Sequence, residues 1–539
     1  MGNIEIFVAL LTIIVIVSFV FRKSPIPTSL LLVITGMLAS FIPSFPPITL
    51  NPTMVLNIFL PLLIYVTSAY SSWREIKVDF RPIALLSIGH VFFITTLVAL
   101  TIHFILPQLG WPMAFLLGAV ISPPDDVAIV SIAEKIRMPQ RIVTILKAEG
   151  MLNDAPALIL FKFSLAALIT HQFSPFKAVS SFFLIVIGET VYGLALGYII
   201  GNLRLKIRDP VLQTIISILI PFLAYLPAEK LGGSGVLATV VVGMYIGNHF
   251  YDRFTPEVRL VGRSVWLTLG FIVQSILFLL VGFDLRHILK GIASIPAHSL
   301  LFYSSAITLV VILGRFAWVY PSTYIPRFLF PSVRKRDPHL PWQYPFLISW
   351  TGMRGGISLA AALAVPMLPM SVDGANPRDL LVFLVFSVIV ATLLLQGMAL
   401  PWMLKMLGIR RYGQREKKNE LLSGLHARVA MTDAALLWLD GHLKQVHSAQ
   451  LLCDEINLRI REYKAIKEQL NSSVKNIDNH THFDEKVELK DTVFLSSKLI
   501  AIEREELGRL WKEGQINQSV KIKLGYYLDV RSKHLSDMF

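Results

Sequence analysis

Long apolar segments alternate with short polar ones over the first three quarters of the chain. A helix needs roughly 20 mainly apolar residues to cross a bilayer. Segments of about this length occur at approximately 4–21, 27–43, 52–69, 82–106, 111–134, 140–168, 178–203, 211–227, 232–249, 264–283, 298–320, 342–367 and 380–404. The pattern predicts an all-α polytopic membrane protein with about 13 transmembrane helices.

The chain changes character after residue 408. Hydrophobic residues make up 54% of the 539 residues and the mean hydropathy is +0.61, which excludes an ordinary soluble globular protein. Nearly half of the charged residues lie in 409–539. These shifts predict a transmembrane domain at 1–408 and a cytoplasmic helical tail at 409–539. The first apolar segment lacks a basic start and a small-residue cleavage site, so we expect it to remain as a helix.

The loops predict the orientation of the chain. Lys and Arg concentrate in one alternating set of loops, which includes 74–81, 135–141 and 253–263. Because basic loops stay on the cytoplasmic side, we expect the amino terminus outside the cell (inner) membrane and the tail inside. The formal net charge of +14 is largely this loop bias. It therefore indicates a lipid bilayer as partner and no nucleic acid.

The fifth apolar segment is interrupted at "SPPDDVA", where Pro123 and Pro124 precede Asp125 and Asp126. Adjacent prolines leave backbone carbonyls without helical donors, which hydrocarbon tolerates only beside protein or a water-filled cavity. The segment is therefore expected to form a broken helix.

The twelfth segment is interrupted at "SWTGMRGGISLA", where glycines surround Arg354 near the bilayer centre. An unpaired charge there costs at least about 2.5 kcal/mol, so Arg354 is expected to face an interior partner. The two breaks lie seven segments apart, which predicts two inverted repeats whose broken helices meet at mid-membrane. Matching breaks of this kind indicate a transporter's binding site. Asp125 and Asp126 are placed to neutralise a helix amino terminus there.

The sixth segment has an acidic centre, "EGMLNDA", with Glu149, Asn153 and Asp154. A carboxylate that is either protonated or cation-bound exchanges the two by competition, and Asp154 is the candidate for this role. Glu149 can have a structural role instead of a role in exchange, since it can pair with Arg354 or with the membrane-embedded Arg315. The role of Glu189, in the seventh segment, stays open.

The motifs "SPPDDVA", "EGMLNDA" and "WTGMRGGISLA" resemble signatures of the monovalent cation:proton antiporters. The branch concerned contains the bacterial NhaP-type sodium/proton antiporters and the animal sodium/proton exchangers. The motifs fall in the family's order on the matching helices, and the resemblance spans all thirteen segments. It implies an NhaA/NhaP-like fold with two crossing broken helices, and a homodimer.

The resemblance also implies site roles. Asp154 matches the family's ion- and proton-carrying aspartate, Asp125 its aspartate in the broken fifth helix, and Arg354 its arginine in the broken twelfth. The cation- and proton-binding residues are then expected to be Asp154, Asn153, Asp125, Pro124 and Gly150. The supporting charges are expected to be Glu149, Arg354, Arg315 and Asp126. A transported Na⁺ or K⁺ would bind at Asp154 and Asp125 as cargo and not as a structural metal.

Two departures from the family pattern bear on selectivity. Pro124 and Gly150 stand where relatives often have threonine and serine, so backbone carbonyls or water must supply the missing oxygen ligands. The preference among Na⁺, K⁺ and Li⁺ therefore stays open. The asparagine at Asn153 resembles the electroneutral branch, which exchanges one cation for one proton, although a protonatable Asp126 would change that inference.

We therefore expect a secondary active transporter, not an enzyme, that exchanges Na⁺ for H⁺ by alternating access and serves pH homeostasis. The alternatives are an antiporter with K⁺ as main substrate, an uncoupled cation channel, and an intramembrane aspartyl hydrolase using Asp125 and Asp154. The nearby arginine argues against the hydrolase. No cofactor motif is present.

The tail carries an amphipathic pattern at Leu452, Ile456 and Ile460, and a second one that ends near Trp511. Such stripes are usually packed against other helices, so a domain that packs on itself or across a dimer is expected. A regulatory sensor is the alternative, with three histidines that titrate near neutral pH: His426, His442 and His447.

Overall fold

A computed structural model describes most of the chain. The described residues are 3–42 except 23 and 25, 51–125, 138–170, 175–336, 341–367, 375–408, 410–443, 450–479, 500–509, 513, 524, 528 and 530. They form helices and turns, with no β-strand among them, which confirms the all-α prediction.

The helices before residue 409 follow the predicted apolar segments. Their bounds are α1 (Asn3–Val20), α2 (Thr28–Ser40), α3 (Pro52–Ala69), α4 (Trp73–Val78), α5 (Phe80–Ile105), α6 (Gly110–Ile121), α7 (Gln140–Thr170), α8 (Pro175–Leu205), α9 (Pro210–Lys230), α10 (Gly235–His249), α11 (Pro256–Phe283), α12 (Leu285–Gly291), α13 (Ala297–Leu329), α14 (Pro331–Arg336), α15 (Gln343–Trp350), α16 (Gly356–Leu363) and α17 (Pro377–Met406).

Eight spans in the described part are long and apolar enough to cross a membrane: α3, α5, α7, α8, α9, α11 with α12, α13, and α17. Four shorter apolar helices, α1, α2, α6 and α10, coincide with further predicted segments. The remaining segment consists of α15 and α16. The chain is thus a multi-pass membrane protein, and the count of thirteen crossings stays a prediction.

The two predicted breaks occur and cross each other. Helix α6 ends at Ile121, one residue before the two prolines, and residues 351–355 separate α15 from α16. The backbone N–H of Asp125 donates to the carbonyl of Met353 (2.7 Å). A hydrogen bond between the two breaks satisfies groups that neither half-helix can satisfy internally. Asp126 and the rest of the predicted fifth segment lie outside the described residues.

Helices α2 and α11 approach each other closely through glycines. An added Cβ at Gly36 would overlap the carbonyl oxygen of Leu279, and one at Gly282 would overlap the carbonyl oxygen of Val33. Membrane helices associate through such small residues because lipid provides no hydrophobic driving force between them. The contact fixes α11, which lines the site described below.

Helix α5 contains a widened π turn at Leu85–Gly89, as α3 and α17 do elsewhere along their lengths. The carbonyl of Leu85 accepts the backbone N–H of His90 and also the indole Nε1–H of Trp318 (2.9 Å). A tryptophan of α13 therefore fastens the irregular turn. Such turns recur at functional sites, and this one lies on a helix that packs against α6 and α7.

The chain divides into two compact units, Met1–Glu416 and Lys417–Phe539, and the assignment of 1–408 to a transmembrane domain and 409–539 to a cytoplasmic tail stays a prediction. The second unit contains most of α18 (Arg410–Leu443) and all of α19 (Gln450–Asn479). The two helices pack through a small cluster that includes Leu436, Ile456 and Ile460. His426 is exposed, whereas His447, Trp511 and the side chain of His442 lie outside the description.

We predict that Gly282→Ala lowers the melting temperature of the purified protein in detergent. The new Cβ meets backbone, which cannot rotate away, and overpacking of this kind costs about 1–3 kcal/mol. Gly262→Ala on the same helix is the matched control, because nothing lies within 4 Å of the Cβ it adds. Equal melting temperatures for the two variants would contradict the close α2–α11 contact.

Candidate functional site

Helix α7 carries three polar residues of the predicted site within little more than one turn. Glu149 and Asn153 are buried on one face, and Asp154 is partly buried beside them. Pro156 lies inside the helix. Because proline has no N–H, the carbonyl of Leu152 lacks its helical donor. The local sequence thus concentrates acids, an amide and a freed carbonyl in one place.

Asp154 borders a cavity of about 610 Å³ at the crossing of the broken helices, here called the central cavity. Side chains from α3, α7, α11, α16 and both breaks line it: Leu63, Ile64, Thr67, Pro123, Pro124, Asp125, Gly150, Met151, Asp154, Gln274, Leu277, Phe278, Gly355, Ile357 and Ser358. The structure therefore brings together four of the five predicted binding residues. Their roles as ligands stay predictions.

A second cavity, of about 260 Å³, also borders Asp154. Its α7 residues, from Ala157 to Phe161, follow Asp154 along the helix, whereas Gly150 and Met151 of the central cavity precede it. Asp154 consequently lies where the two cavities meet, together with Pro123, Ile357 and Ser358, which line both.

Asn153 contributes through the backbone of the break. Its side chain is buried, and Nδ2–H donates to the carbonyl of Pro124 (2.8 Å). This carbonyl precedes Asp125, so the amide holds the first break against α7. A carboxylate at position 153 could not donate this hydrogen bond. The neutral amide of Asn153 therefore contributes to the structure of the break and also leaves the site without a further negative charge.

Glu149 and Arg315 form a buried, two-point ion pair. Arg315 Nη1 lies 2.6 Å from Glu149 Oε1, and Nη2 lies 2.9 Å from Oε2. Both side chains are 1% exposed, and Arg315 Nε–H also donates to the carbonyl of Ile348 (2.9 Å). A Cβ at Gly352 would overlap the arginine side chain. Of the two partners that the sequence left open for Glu149, the structure selects Arg315.

Arg354 is fully buried at the end of α6. Its Nη1–H donates to the carbonyl of Ser122, and its backbone N–H donates to the hydroxyl of Thr392 (3.2 Å). The Nε and Nη2 atoms have no hydrogen-bond partner within the described residues. A positive charge beside the last carbonyls of a helix is favourable because the helix dipole is negative there.

Asp125 takes the opposite position, at the amino end of α16. A Cβ at Gly355 would overlap the carboxylate of Asp125, and α16 begins at the next residue, Gly356. A carboxylate there meets the positive end of the helix dipole. Each break thus places a charged side chain at the end of the other's half-helix. Asp125 lies at the amino end of α16, and Arg354 lies at the carboxyl end of α6. Asp126, the remaining predicted acid, lies outside the described residues.

Three lining residues were missed by the sequence analysis: Thr67, Gln274 and Ser358. Each is a polar residue within an apolar segment, which is the signal that could have found them. The signal is weak, because serine and threonine in membrane helices commonly bond to their own backbone. Thr67 does so here, donating to the carbonyl of Leu63 (2.6 Å).

Glu189 does not line either cavity bordered by Asp154. It lies on α8 against the loop before α10, where a Cβ at Gly233 would overlap its carboxylate. In the same region Lys162 Nζ lies 2.8 Å from Glu229 Oε2 and donates to the carbonyl of Gly233 (2.6 Å). The described contacts place Glu189 beside this structural link between α7 and α9.

We predict that Glu149→Gln or Arg315→Met alone lowers the melting temperature strongly, because each leaves a buried unpaired charge, at a cost of about 3–5 kcal/mol. The double variant leaves no charge and is expected to recover much of the loss. Thermal unfolding in detergent measures all three. Arg459→Gln, which removes exposed ion pairs in the tail, is the control and should leave the value unchanged. A double variant whose loss equals the sum of the single losses would exclude coupling.

Comparisons with known proteins point to one protein family. A family model described as "Sodium/hydrogen exchanger, transmembrane" matches residues 6–406. An uncharacterised Na⁺/H⁺ exchanger of Mycobacterium tuberculosis is 33% identical over 406 residues, which cover 74% of this chain and 73% of that protein. A sodium, potassium, lithium and rubidium/H⁺ antiporter of Bacillus subtilis is 32% identical over 403 residues, covering 73% of this chain and 60% of that protein.

The fold is similar to that of the sodium/proton antiporter MjNhaP1 from Methanocaldococcus jannaschii, solved at pH 8. The TM-score is 0.58, with 18% sequence identity, over 75% of this chain and 98% of that one. This likeness confirms the NhaP-like architecture with its crossing broken helices. Since the family match spans most of the transmembrane part and the mycobacterial relative is similar over the same region, the chain belongs to the sodium/hydrogen exchanger family.

Proposed function

We propose that the protein is a secondary active transporter that exchanges Na⁺ for H⁺ across the cell membrane by alternating access. The observation that carries the proposal is the position of Asp154, an acid in the middle of an apolar helix that borders two cavities. An ionisable group inside a membrane segment marks an ion or proton pathway. Asp154 is the carrier because it is accessible, whereas the charge of Glu149 is occupied by Arg315.

A count of charges supports one-for-one exchange. Glu149 and Arg315 neutralise each other, which leaves Asp125, Asp154 and Arg354 as the charged groups at the crossing among the residues that the structure describes. With both aspartates ionised, these three groups carry one net negative charge. One proton or one monovalent cation neutralises it, and both together would leave a buried positive excess, which is costly in a medium of low dielectric constant. The two ions therefore compete for the same site.

The position of Asp154 along α7 supports the proposal of alternating access. A transporter opens its site to one side of the membrane at a time, and the two cavities approach the carboxyl group from opposite directions along the helix. We propose that the central cavity leads to the cytoplasm, since it lies toward the end of α7 that follows a basic loop. The amino terminus is then outside and the tail cytoplasmic. We also propose a homodimer, as the family resemblance implies.

Oxygen ligands for a hard cation are present around the central cavity. The carboxylates of Asp125 and Asp154 provide the charge, and we propose that Thr67, Gln274 and Ser358 supply oxygens that Pro124 and Gly150 lack. Na⁺ is the first candidate. K⁺ as main substrate is the second, because the Bacillus subtilis relative is named for potassium, lithium and rubidium as well as sodium.

We predict that Asp154→Asn abolishes cation-driven proton movement. In everted membrane vesicles that contain a pH-sensitive dye, added Na⁺ is expected to discharge the proton gradient with the wild type and not with the variant. K⁺ and Li⁺ are tested in turn. Asp252→Asn, which removes an exposed acid outside the cavities, is the matched control and should retain full activity.

Membrane insertion of Asp154→Asn is checked by quantifying the protein in the same vesicles. A fully active Asp154→Asn variant would exclude Asp154 as the carrier. In proteoliposomes, antiport is further expected to move Na⁺ uphill when a proton gradient is imposed, because exchange couples the two fluxes. Flux that only follows the Na⁺ gradient would indicate a channel instead.

We predict that the exchange rate in proteoliposomes does not respond to an imposed membrane potential, because one charge crosses in each direction. The initial rate of Na⁺ uptake at a fixed pH difference is measured with the potential clamped at zero and at an inside-negative value. A rate that rises with the inside-negative potential would mean that net positive charge enters with each cycle. That result would remove the one-for-one stoichiometry and leave the role of Asp154 intact.

A further inference from the structure

A third cavity lies away from Asp154, at the end of the transmembrane part where basic loops concentrate. Its volume is about 450 Å³, including the part open to solvent. The ends of α3, α8 and α10 and the first turns of α11 form its walls. The lining residues used below are Tyr65, Tyr70, Arg204, Arg259, Arg263 and Trp266, and the cavity is called the arginine cavity.

Arg204 is the unusual member. Its side chain belongs to α8 and is buried, with the residue 6% exposed. The guanidinium carbon lies 4.3 Å from the centre of the Phe254 ring, but the buried Nε has no hydrogen-bond partner within the described residues. A buried guanidinium without an anion is strongly unfavourable, because desolvation is not repaid. A negative group in the cavity would give Arg204 the partner that the described residues do not provide.

Two further arginines face the same space from α11. Arg259 and Arg263 are four residues apart and therefore lie on one helix face. Arg259 Nη1–H donates to the carbonyls of Phe254 (2.7 Å) and Asp252 (3.3 Å), which orients its guanidinium while leaving other N–H groups free to bind. No aspartate or glutamate is among the residues that line the cavity. Three positive groups thus share one cavity without an acid.

Aromatic residues complete the walls. The Tyr65 and Trp266 rings are 4.9 Å apart, and Trp266 Nε1–H is already bonded to the hydroxyl of Ser217 (3.0 Å). Tyr70 lies nearer the opening and is partly exposed. Tyrosine and tryptophan prefer the level of the lipid headgroups. The cavity therefore combines an interfacial position with a concentration of positive charge.

We propose that the arginine cavity binds a phosphate-bearing anion, either the headgroup of an anionic phospholipid or a free phosphate compound. The arginine fork matches phosphate oxygens in two-point hydrogen bonds, and basic pockets between membrane helices on the cytoplasmic side bind anionic headgroups. The bound anion neutralises Arg204 and ties α8 to α11. None of these residues belongs to the Asp154 site, so the proposal is independent of the transported ion.

The test is thermal unfolding of delipidated protein in detergent, with phosphatidylglycerol, phosphatidylcholine or inorganic phosphate added at constant ionic strength. Arg204→Gln is the main variant, and Arg253→Gln is the matched control, because Arg253 is exposed at the same end and does not line the cavity. Phosphatidylglycerol or phosphate is expected to raise the melting temperature of the wild type and the control, and phosphatidylcholine is not. Arg204→Gln should bind about tenfold more weakly or worse.

The pattern of responses identifies the source of the anion. A response to phosphatidylglycerol alone indicates a lipid headgroup, and a response to inorganic phosphate indicates a soluble ligand. Without any anion, Arg204→Gln is expected to melt at or above the wild-type temperature, since it lacks the unpaired charge. If Arg204→Gln cannot be purified, the double variant Arg259→Gln with Arg263→Gln takes its place. Equal responses of variant and wild type, or no response of the wild type, would overturn the proposal.

Discussion

A helix that breaks inside a membrane must find partners for its freed backbone groups and its terminal charges, because lipid offers none. Here each break supplies hydrogen-bond partners for the other. The amide of Asp125 bonds to the carbonyl of Met353, Arg354 bonds to the carbonyl of Ser122, and Asn153 holds the carbonyl of Pro124. The remaining features of the site are arranged around this mutual satisfaction.

One result is a division of labour between two acids of the same helix. Both carboxylate oxygens of Glu149 accept hydrogen bonds from Arg315, so the charge of Glu149 holds α7 to α13. Asp154, slightly more than one turn further, has no hydrogen bond with a described residue and borders open space on two sides. A carboxylate thus stabilises the structure at Glu149, and the same kind of group is available for ion exchange at Asp154.

The sequence predicted the helices and both breaks well, because hydropathy and proline act locally. It could not choose between Arg315 and Arg354 as the partner of Glu149, since that depends on how α13 packs against α7. Thr67, Gln274 and Ser358 were missed because only packing directs them toward one cavity. Arg204 is one basic residue near the end of an apolar segment, and the sequence does not show that its guanidinium packs on Phe254, between α10 and α11.

The π turn of α5 inserts one residue into an otherwise regular helix. Each residue advances an α-helix by about 100°, at 3.6 residues per turn, so the turn offsets every side chain after Gly89 relative to those before Leu85. His90, which is buried, owes its inward direction to that offset. Deleting a single residue from this stretch would restore a regular helix and leave the faces of both halves as they are, because the π turn already accommodates one extra residue. Loss of one residue is therefore better tolerated at this turn than in the regular part of α5, where it would rotate every later side chain by about 100°.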